Sequence, residues 1–545
     1  MVRERRRHPR SLGGGPVALT TRVTAQDLIA RLQGCLGAQR VITEDSKRKL
    51  LSSDFYREGT TCVTAIRPAD TESLAEAARV VTEAGYALIP RGGGMSYTGG
   101  YTPDIESAVI VDLGDMTGVV DFNPEDMTIT VRAGTTWEEI YEALRPQGLR
   151  LPFFGTFSGR RATIGGGLSN GAVFFGTARY GSAADNTLGI EVVCADGRIL
   201  HTGQAAFRNG KPFYRTNGPD LTGLFLHDCG ALGIKTQATL KLIAAPTHYE
   251  HLSFAFADAP SAAAALSMVA RSGTAEDAYV FDPETTAKNM ASGNLADDVR
   301  RLGDIVTGQS GLMEGIKAGA RVVAAGKGIV PENTYSVHLT CAGYSLADAH
   351  DDRDRARKIV EEAGGKEIPN SIPLAVRATP FDNLNGVLGA AGERWVALNA
   401  KVPHSDAAKI IERFDALIAP HKSKMEALGV TLSTLFIAMD THAFSFEPVF
   451  HWPDRWLPMH REVPDPAYLK SLTVAPDNPQ AAALVDQLRK ESLALFSELG
   501  AASNQIGRTY PYRDNLDPPT RALLDALKAE LDPDGLMNPG VLGYR

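Results

Sequence analysis

The sequence predicts an α/β or α+β protein of two domains or more, and three observations predict it. The 545 residues, 43% hydrophobic and 22% charged, exceed what a single core needs. From about residue 60 to 245, short β-branched runs alternate with amphipathic helical stretches at the loop lengths of a compact domain. Beyond Pro246 the text changes to Ala-rich helical stretches mixed with strand-like runs, which reads as a second domain.

Residues 1–20 read as a flexible basic tail, with Arg3, Arg5, Arg6, Arg7 and Arg10 beside a glycine run. Residues 71 to 84 place Leu74, Ala77, Ala78 and Val81 on one helical face. Ala87 to Pro90 then reads as a short buried strand running into Arg91-Gly92-Gly93-Gly94. Met127, Ile129 and Val131 alternate with Thr128, Thr130 and Arg132 as a half-buried strand should. Thr136 with Glu139 forms a capping box for a helix carrying Ile140 and Leu144. In the second domain, residues 260 to 271 and 405 to 418 read as helices, and 336 to 340 and 431 to 439 as strands. A last helix spans Pro518 to Leu531, with Leu523, Leu527 and Leu531 in one stripe, stopped by Asp532, Pro533 and Gly535.

Composition narrows the function. Lys and Arg total 56 against 64 Asp and Glu, a formal charge of −8, which offers no broad basic field and argues against nucleic acid as a partner. Cys35, Cys62, Cys194, Cys229 and Cys341 fall at no metal-ligand or C-x-x-C spacing, so neither a disulfide framework nor a metal site is indicated. No apolar run approaches the roughly 18 to 20 residues of a spanning helix, and the start lacks the apolar core of a signal peptide. A cytoplasmic placement is expected, with peripheral membrane contact through the arginine tail left open.

Two glycine clusters carry the chemistry: Arg91-Gly-Gly-Gly-Met95-Ser96-Tyr97-Thr98-Gly99-Gly100, and Ala162-Thr163-Ile164-Gly165-Gly166-Gly167. Consecutive glycines let a backbone approach a ligand so that several N–H groups converge on an anion such as a pyrophosphate. A tight turn without a ligand explains one such cluster equally well; two in one domain shift the balance. The Rossmann spacing is not met, because Met95 to Thr98 separate the glycines and a strand follows them.

These residues resemble the FAD-binding oxidoreductases of the PCMH type, the superfamily of vanillyl-alcohol oxidase, 4-cresol dehydrogenase and flavin D-lactate dehydrogenases. The resemblance covers most of the chain. Its further carriers are Tyr180-Gly181 with Asp185-Asn186, Pro219-Asp-Leu-Thr-Gly-Leu224 leading to Gly230-Ala-Leu-Gly-Ile234-Lys-Thr236, and Leu531-Asp-Pro-Asp-Gly-Leu-Met-Asn538-Pro-Gly540. It implies a two-part FAD-binding domain of two α+β subdomains, residues 21–246 with a returning C-terminal segment 503–545, and an inserted α/β cap domain at 247–502 that holds the substrate. The cofactor-binding residues it implies are Arg91, Gly92, Gly93, Gly94, Met95, Ser96, Gly99, Thr163, Gly166, Gly167, Asp185, Ile234 and Asn538. Members that bond FAD covalently through the first turn carry His where this chain has Met95, so the resemblance implies noncovalent FAD, with a tether from the cap left open.

The substrate chemistry needs a base and an orienting group near the flavin. The stretch Met439 to Asp454 offers two imidazoles, His442 and His451, and the carboxylate Glu447 among aromatics; Phe444, Phe446 and Phe450 suit the inner face of a strand equally well. Arg508 and Tyr510, before the last helix, suit an anion and a substrate oxygen, and boundary packing explains both as well. Arg377 resembles by position the arginine that hydroxy-acid members use for the substrate carboxylate, and Arg394 is a second candidate. The metal motif of the hydroxy-acid branch is not found, so no metal is expected.

The resulting expectation is an FAD-dependent dehydrogenase or oxidase acting on a 2-hydroxy acid of the D-lactate or glycolate type. The alternatives are para-substituted phenols or aromatic alcohols, and an FAD-dependent transferase of the alkyl-dihydroxyacetonephosphate synthase type. A flavin-free binding protein is the rival outside enzymes. The partners expected are a small-molecule substrate and an electron acceptor, whether oxygen, quinone or cytochrome, with a homodimer left open.

Overall fold

A computed structural model describes residues 23–291 and 330–544, so the arginine tail lies outside the described residues. The fold is α+β, as the resemblance implies, and three sheets position the site.

The first is a four-stranded sheet in the order Val41–Ile42, Thr64–Ile66, Ala108–Asp112, Ala87–Arg91, with the last three strands parallel. Parallel neighbours need a crossover, and the helix Thr71–Glu83 supplies it. That helix starts on a capping box between Asp70 and Ser73 and buries Leu74, Ala77, Ala78 and Val81, the predicted face. Ala65, Ile66, Leu88, Ile89, Val109 and Ile110 are fully buried, so the sheet is covered on both faces.

The second sheet is antiparallel, in the order Val119–Asn123, Thr128–Arg132, Ile234–Lys241, Thr187–Val193, Ile199–His201. Here the expected half-buried strand differs in detail: Thr128 and Thr130 are buried too, and Thr130 Oγ1 shares a hydrogen bond of 2.8 Å with Thr239 Oγ1 on the neighbouring strand. The helix Trp137–Leu144 opens on the predicted Thr136/Glu139 capping box.

The third sheet has eight strands and dominates residues 248–452. Its order is Lys366–Ile368, His248–Phe256, Tyr335–Gly343, Asp277–Phe281, Thr431–Met439, Ala443–Trp452, Arg394–Ala397, with Ala400–Pro403 also pairing with Ala443–Trp452. The helices Ala259–Ser272, Leu346–Glu362, Ala407–Ile418 and Pro479–Glu498 share its largest apolar cluster. Phe444, Phe446 and Phe450 are buried in that cluster, which sends Ser445, Glu447 and His451 to the opposite face.

The C-terminal segment returns to the first sheet. Leu88 N–H donates to Leu536 O and Asn538 N–H to Leu88 O, each at 2.8 Å, so residues 536–538 lie parallel beside the strand that delivers the first glycine cluster. The helix Pro518–Leu531 turns differently from its leucine stripe. Leu523 is 73% exposed, whereas Lys528 is buried with its ammonium donating to Ala231 O at 2.6 Å and Met537 O at 2.8 Å. Those two carbonyls hold the face carrying Lys528 and Leu531 inward and leave Leu523 to solvent.

Candidate cofactor and substrate site

A cavity of about 560 Å³ opens where the strand Ala87–Arg91 ends. Both glycine clusters line it, and they touch each other. A Cβ on Gly93 would overlap the Arg161 carbonyl, and one on Gly92 the Thr163 hydroxyl, so only glycine lets the two backbones meet. Arg161 Nε seals the contact by donating to Gly93 O at 2.9 Å. Thr163 caps the helix Ile164–Asn170, its hydroxyl accepting from Gly166 N–H at 3.3 Å.

The main-chain N–H groups of Gly93, Gly94, Met95, Ser96 and Tyr97 donate no hydrogen bond among the described residues. Buried backbone donors without partners are rare, and a row of them along a cavity marks a place for acceptor oxygens. Arg91 adds a buried guanidinium whose Nε is also without a partner. A diphosphate would meet both needs, so the residues present fit FAD: the amides and Arg91 would hold the diphosphate, and the aromatic and aliphatic lining would accommodate a ring.

Of the residues assigned to the cofactor from sequence, Arg91, Gly92, Gly93, Gly94, Met95, Ser96, Thr163, Gly166, Gly167 and Ile234 line the cavity. Three do not, and each supports the wall instead. Gly99 N–H donates to Asp54 Oδ2 at 2.8 Å. Asp185 accepts from the backbone and hydroxyl of Ser182 at 2.7 and 2.8 Å, fixing the turn after Tyr180. Asn538 is fully buried, its Nδ2 donating to Gly100 O at 2.8 Å and Cys229 O at 2.7 Å, which ties the returning C-terminus to the first cluster.

At the far end the lining comes from the large sheet and the segment that follows the helix Pro479–Glu498. Glu447, on the strand Ala443–Trp452, reaches the cavity, where burial pushes its carboxyl up to about 7. Its hydrogen bond among the described residues is to Asn399 Nδ2 at 3.2 Å, and that amide also donates to Ser445 Oγ at 2.8 Å. The main-chain N–H of Asn399 donates to the Tyr510 hydroxyl at 2.7 Å. Tyr510 therefore accepts from the backbone, and its own proton remains to be given to another group. Burial raises the phenols of Tyr510 and Tyr97, so both stay protonated donors. Gln505 joins the two ends of the cavity: its Oε1 accepts from Ser96 Oγ at 3.0 Å and its Nε2 donates to Tyr97 Oη at 3.4 Å.

The structure places Tyr510 on this cavity but puts the other four catalytic candidates elsewhere. His442 is exposed in the turn between Thr431–Met439 and Ala443–Trp452. His451 is buried beside Ser433, whose hydroxyl lies 2.9 Å from its Nε2, and burial pulls it down to about 3. Arg508 is consumed by Asp104 at 2.8 Å and by the carbonyls of Gly99 and Pro539, with burial pulling it to about 10. Arg377 lies between the rings of Phe154 and Tyr249, 4.5 and 4.6 Å from their centroids, and pairs with Glu276 at 2.9 Å and Asp277 at 3.4 Å. Arg394 likewise pairs with Asp454 at 2.8 Å. Arg377, Arg394 and Arg508 are thus paired within the fold, His451 meets Ser433 through one ring nitrogen only, and His442 stands exposed. Glu447, named in the stretch Met439 to Asp454 but given no role from sequence, is the member of it that lines the cavity. Its one signal is a lone carboxylate on the non-aromatic face of a strand whose other face is Phe444, Phe446 and Phe450.

Comparison with known proteins agrees with this geometry. Residues 64–203 match the family described as FAD binding domain. The chain is 32% identical over 232 residues to D-lactate dehydrogenase [cytochrome] 1, mitochondrial, of Saccharomyces cerevisiae, which covers 42% of this chain and 38% of that protein. It is 31% identical over 181 residues to glycolate oxidase subunit GlcD of Bacillus subtilis, covering 33% of this chain and 37% of that one. The matched region thus spans well under half the length of these relatives. In three dimensions the chain resembles p-cresol methylhydroxylase at a TM-score of 0.71 and 17% identity, covering 95% of this chain and 96% of that one. The resemblance read from the motifs holds: the fold is shared along nearly the whole chain, and FAD is the cofactor that the glycine cradle fits.

Proposed function

We propose that the chain is an FAD-dependent oxidoreductase that takes a hydride from the hydroxyl-bearing carbon of a small organic substrate, with Glu447 receiving the hydroxyl proton. FAD supplies the hydride acceptor when bound. The observation that carries the reading is Glu447 itself, a carboxyl pushed up to about 7 on the cavity that also holds the amide cradle. A carboxyl poised there is deprotonated often enough to accept a proton and basic enough to draw it. Asn399 holds the carboxylate in place through its side chain and orients Tyr510 through its backbone. Tyr510 is left to donate to a substrate oxygen, and the surrounding apolar lining excludes water. The division of labour proposed is FAD on residues 21–246 with 503–545, and substrate on 247–502, with Tyr510 of the C-terminal segment reaching the substrate end.

A 2-hydroxy acid is the substrate class the relatives support, since the matched proteins are named for D-lactate and glycolate. A second reading, an aromatic alcohol or para-substituted phenol, is favoured by one feature of the lining. Arg91 and Lys235 are the cations on the cavity, and Lys235 is paired with Asp228 at 2.5 Å, whereas Tyr97, Tyr510 and Trp395 offer rings and hydroxyls. Anaerobic mixing of the holoenzyme with each class decides. Bleaching of the flavin band by D-lactate or a homologue is expected, bleaching by phenolic alcohols alone selects the second reading, and no bleaching by either overturns the oxidoreductase. Reoxidation with oxygen, a quinone or a cytochrome then identifies the electron acceptor.

A further inference from the structure

Away from the cavity, one surface loop combines exposed rings with unpaired cations. Phe207, Phe213 and Tyr214 are 51, 55 and 53% exposed, and the last two rings lie 6.2 Å apart. Rings of this size are normally buried, and several exposed together on a short segment mark a contact surface. The loop is not frayed. Gln204 N–H donates to Tyr214 O at 2.8 Å, Asn217 Nδ2 to Gln204 Oε1 at 3.0 Å, and Arg215 Nη1 to Ala184 O at 2.7 Å. Arg215 is also neutralised by Asp220 at 2.8 Å. Arg208 and Lys211, between the rings, are exposed and make no ion pair among the described residues.

We propose that this loop docks the protein on an anionic lipid bilayer, with Phe207, Phe213 and Tyr214 entering the interfacial region and Arg208 and Lys211 meeting the headgroups. Charge complementarity selects this occupant. The chain as a whole carries −8 and is repelled by an anionic surface, so approach needs a local cationic patch, and Arg208 and Lys211 supply one beside the exposed rings. Tyr carries an apolar ring and a polar tip, the combination that suits the boundary between acyl chains and water. Lysine is depleted at protein–protein interfaces, whereas beside interfacial aromatics it is the usual companion of anionic lipid. The inference does not depend on the redox reading of the cavity.

The test is co-sedimentation of the full-length holoenzyme with vesicles of phosphatidylserine and phosphatidylcholine in equal parts, and with phosphatidylcholine alone. Binding to the mixed vesicles, weakened by salt, is expected. Phe213→Ser with Tyr214→Ser should abolish it. Arg208→Gln and Lys211→Gln should each weaken it about fivefold. Flavin absorbance and turnover, unchanged in all four substitutions, show that the fold is intact. Failure to bind the mixed vesicles overturns the proposal, as does parental binding by the substituted proteins. So does retention on polyglutamate through the same residues without vesicle binding, which assigns the loop to an acidic protein.

Discussion

Two carboxylate clusters sit close to the large sheet, one fully buried and one half-buried on the cavity, and their surroundings are opposite. Glu276 is fully buried between two guanidinia: Arg150 forms a short pair with one of its oxygens and Arg377 lies 2.9 Å from the other. Burial alone would raise its carboxyl, yet Arg150 and Arg377 outweigh it and hold it below the usual range. Neighbouring Asp277 accepts from Gly176 N–H at 2.7 Å, and burial still lifts it to about 6. Glu447 has an amide and, among the described residues, no paired cation, and rises to about 7. The first cluster joins the strand at 277–281 to residues 150 and 176 and to the helix Ser371–Ala378, and it lies off the cavity. The second lines the cavity. A balanced buried charge holds parts together, whereas an unbalanced one is available for proton transfer.

The largest effect expected from breaking this contrast is on folding. Glu276→Ala leaves Arg150 and Arg377 buried without their shared partner, and about 3–5 kcal/mol of stability should be lost. Thermal or denaturant unfolding measures it. A loss below about 1 kcal/mol would mean that the cluster is not holding the cap against the rest of the chain.

Glu447→Gln should do the reverse. The amide keeps the shape and removes the proton acceptor, so kcat should fall about a hundredfold or more. Unfolding should be unchanged or shifted upward, because a poorly compensated buried charge is removed. A variant that loses stability and keeps its turnover would exchange the roles of the two clusters.

The third expectation is the pH dependence that separates them. In the proposed role Glu447 acts deprotonated, so kcat in the parent should rise with pH, about tenfold per unit below its value of about 7, and level off above it. Stability runs the other way. The folded carboxyl binds its proton more tightly than the ordinary 4.5 of an unfolded glutamate, so its contribution favours folding at low pH and is lost as pH rises from about 4.5 through about 7. Both limbs should vanish in Glu447→Gln. A rise in turnover that persists in the variant assigns the titration to another group.

The same contrast explains which parts of the molecule the sequence discloses. Gly92 and Gly93 are legible because their role is steric: any side chain would strike Arg161 or Thr163, so the requirement is written in the residue type. The helix Thr71–Glu83 and the Thr136/Glu139 cap are legible because their causes lie within a few residues. The cavity's end at Glu447 is not local. Tyr97, Asn399, Glu447 and Tyr510 come from four distant segments, and only the fold brings them to one cavity. Reading by residue type selects Arg377 and His451, whose side chains look reactive in isolation. Arg377 is spent on Asp277, 100 positions away, and His451 on Ser433 across a strand pair. The exposure of Leu523 has the same origin, since the buried face of its helix is set by carbonyls at Ala231 and Met537.

The smallest expected effect sharpens the chemistry at the unbalanced cluster. Tyr510→Phe removes a hydroxyl that accepts from Asn399 N–H at 2.7 Å and leaves that N–H buried without an acceptor. This costs about 1–3 kcal/mol of stability whatever the hydroxyl does in catalysis, so a lowered unfolding midpoint alone decides nothing. The discriminating measurement is kcat/KM for a 2-hydroxy acid and for a phenolic alcohol, compared with the same ratio in Tyr97→Phe, whose hydroxyl meets Gln505 at 3.4 Å and no backbone donor. If Tyr510 donates to a substrate oxygen, kcat/KM for the true substrate should fall about tenfold, with kcat carrying most of the loss. A Tyr510→Phe enzyme that is less stable but turns over both substrates as the parent does would confine this phenol to holding the backbone of Asn399, and would leave Glu447 as the one side chain at that end with a chemical task.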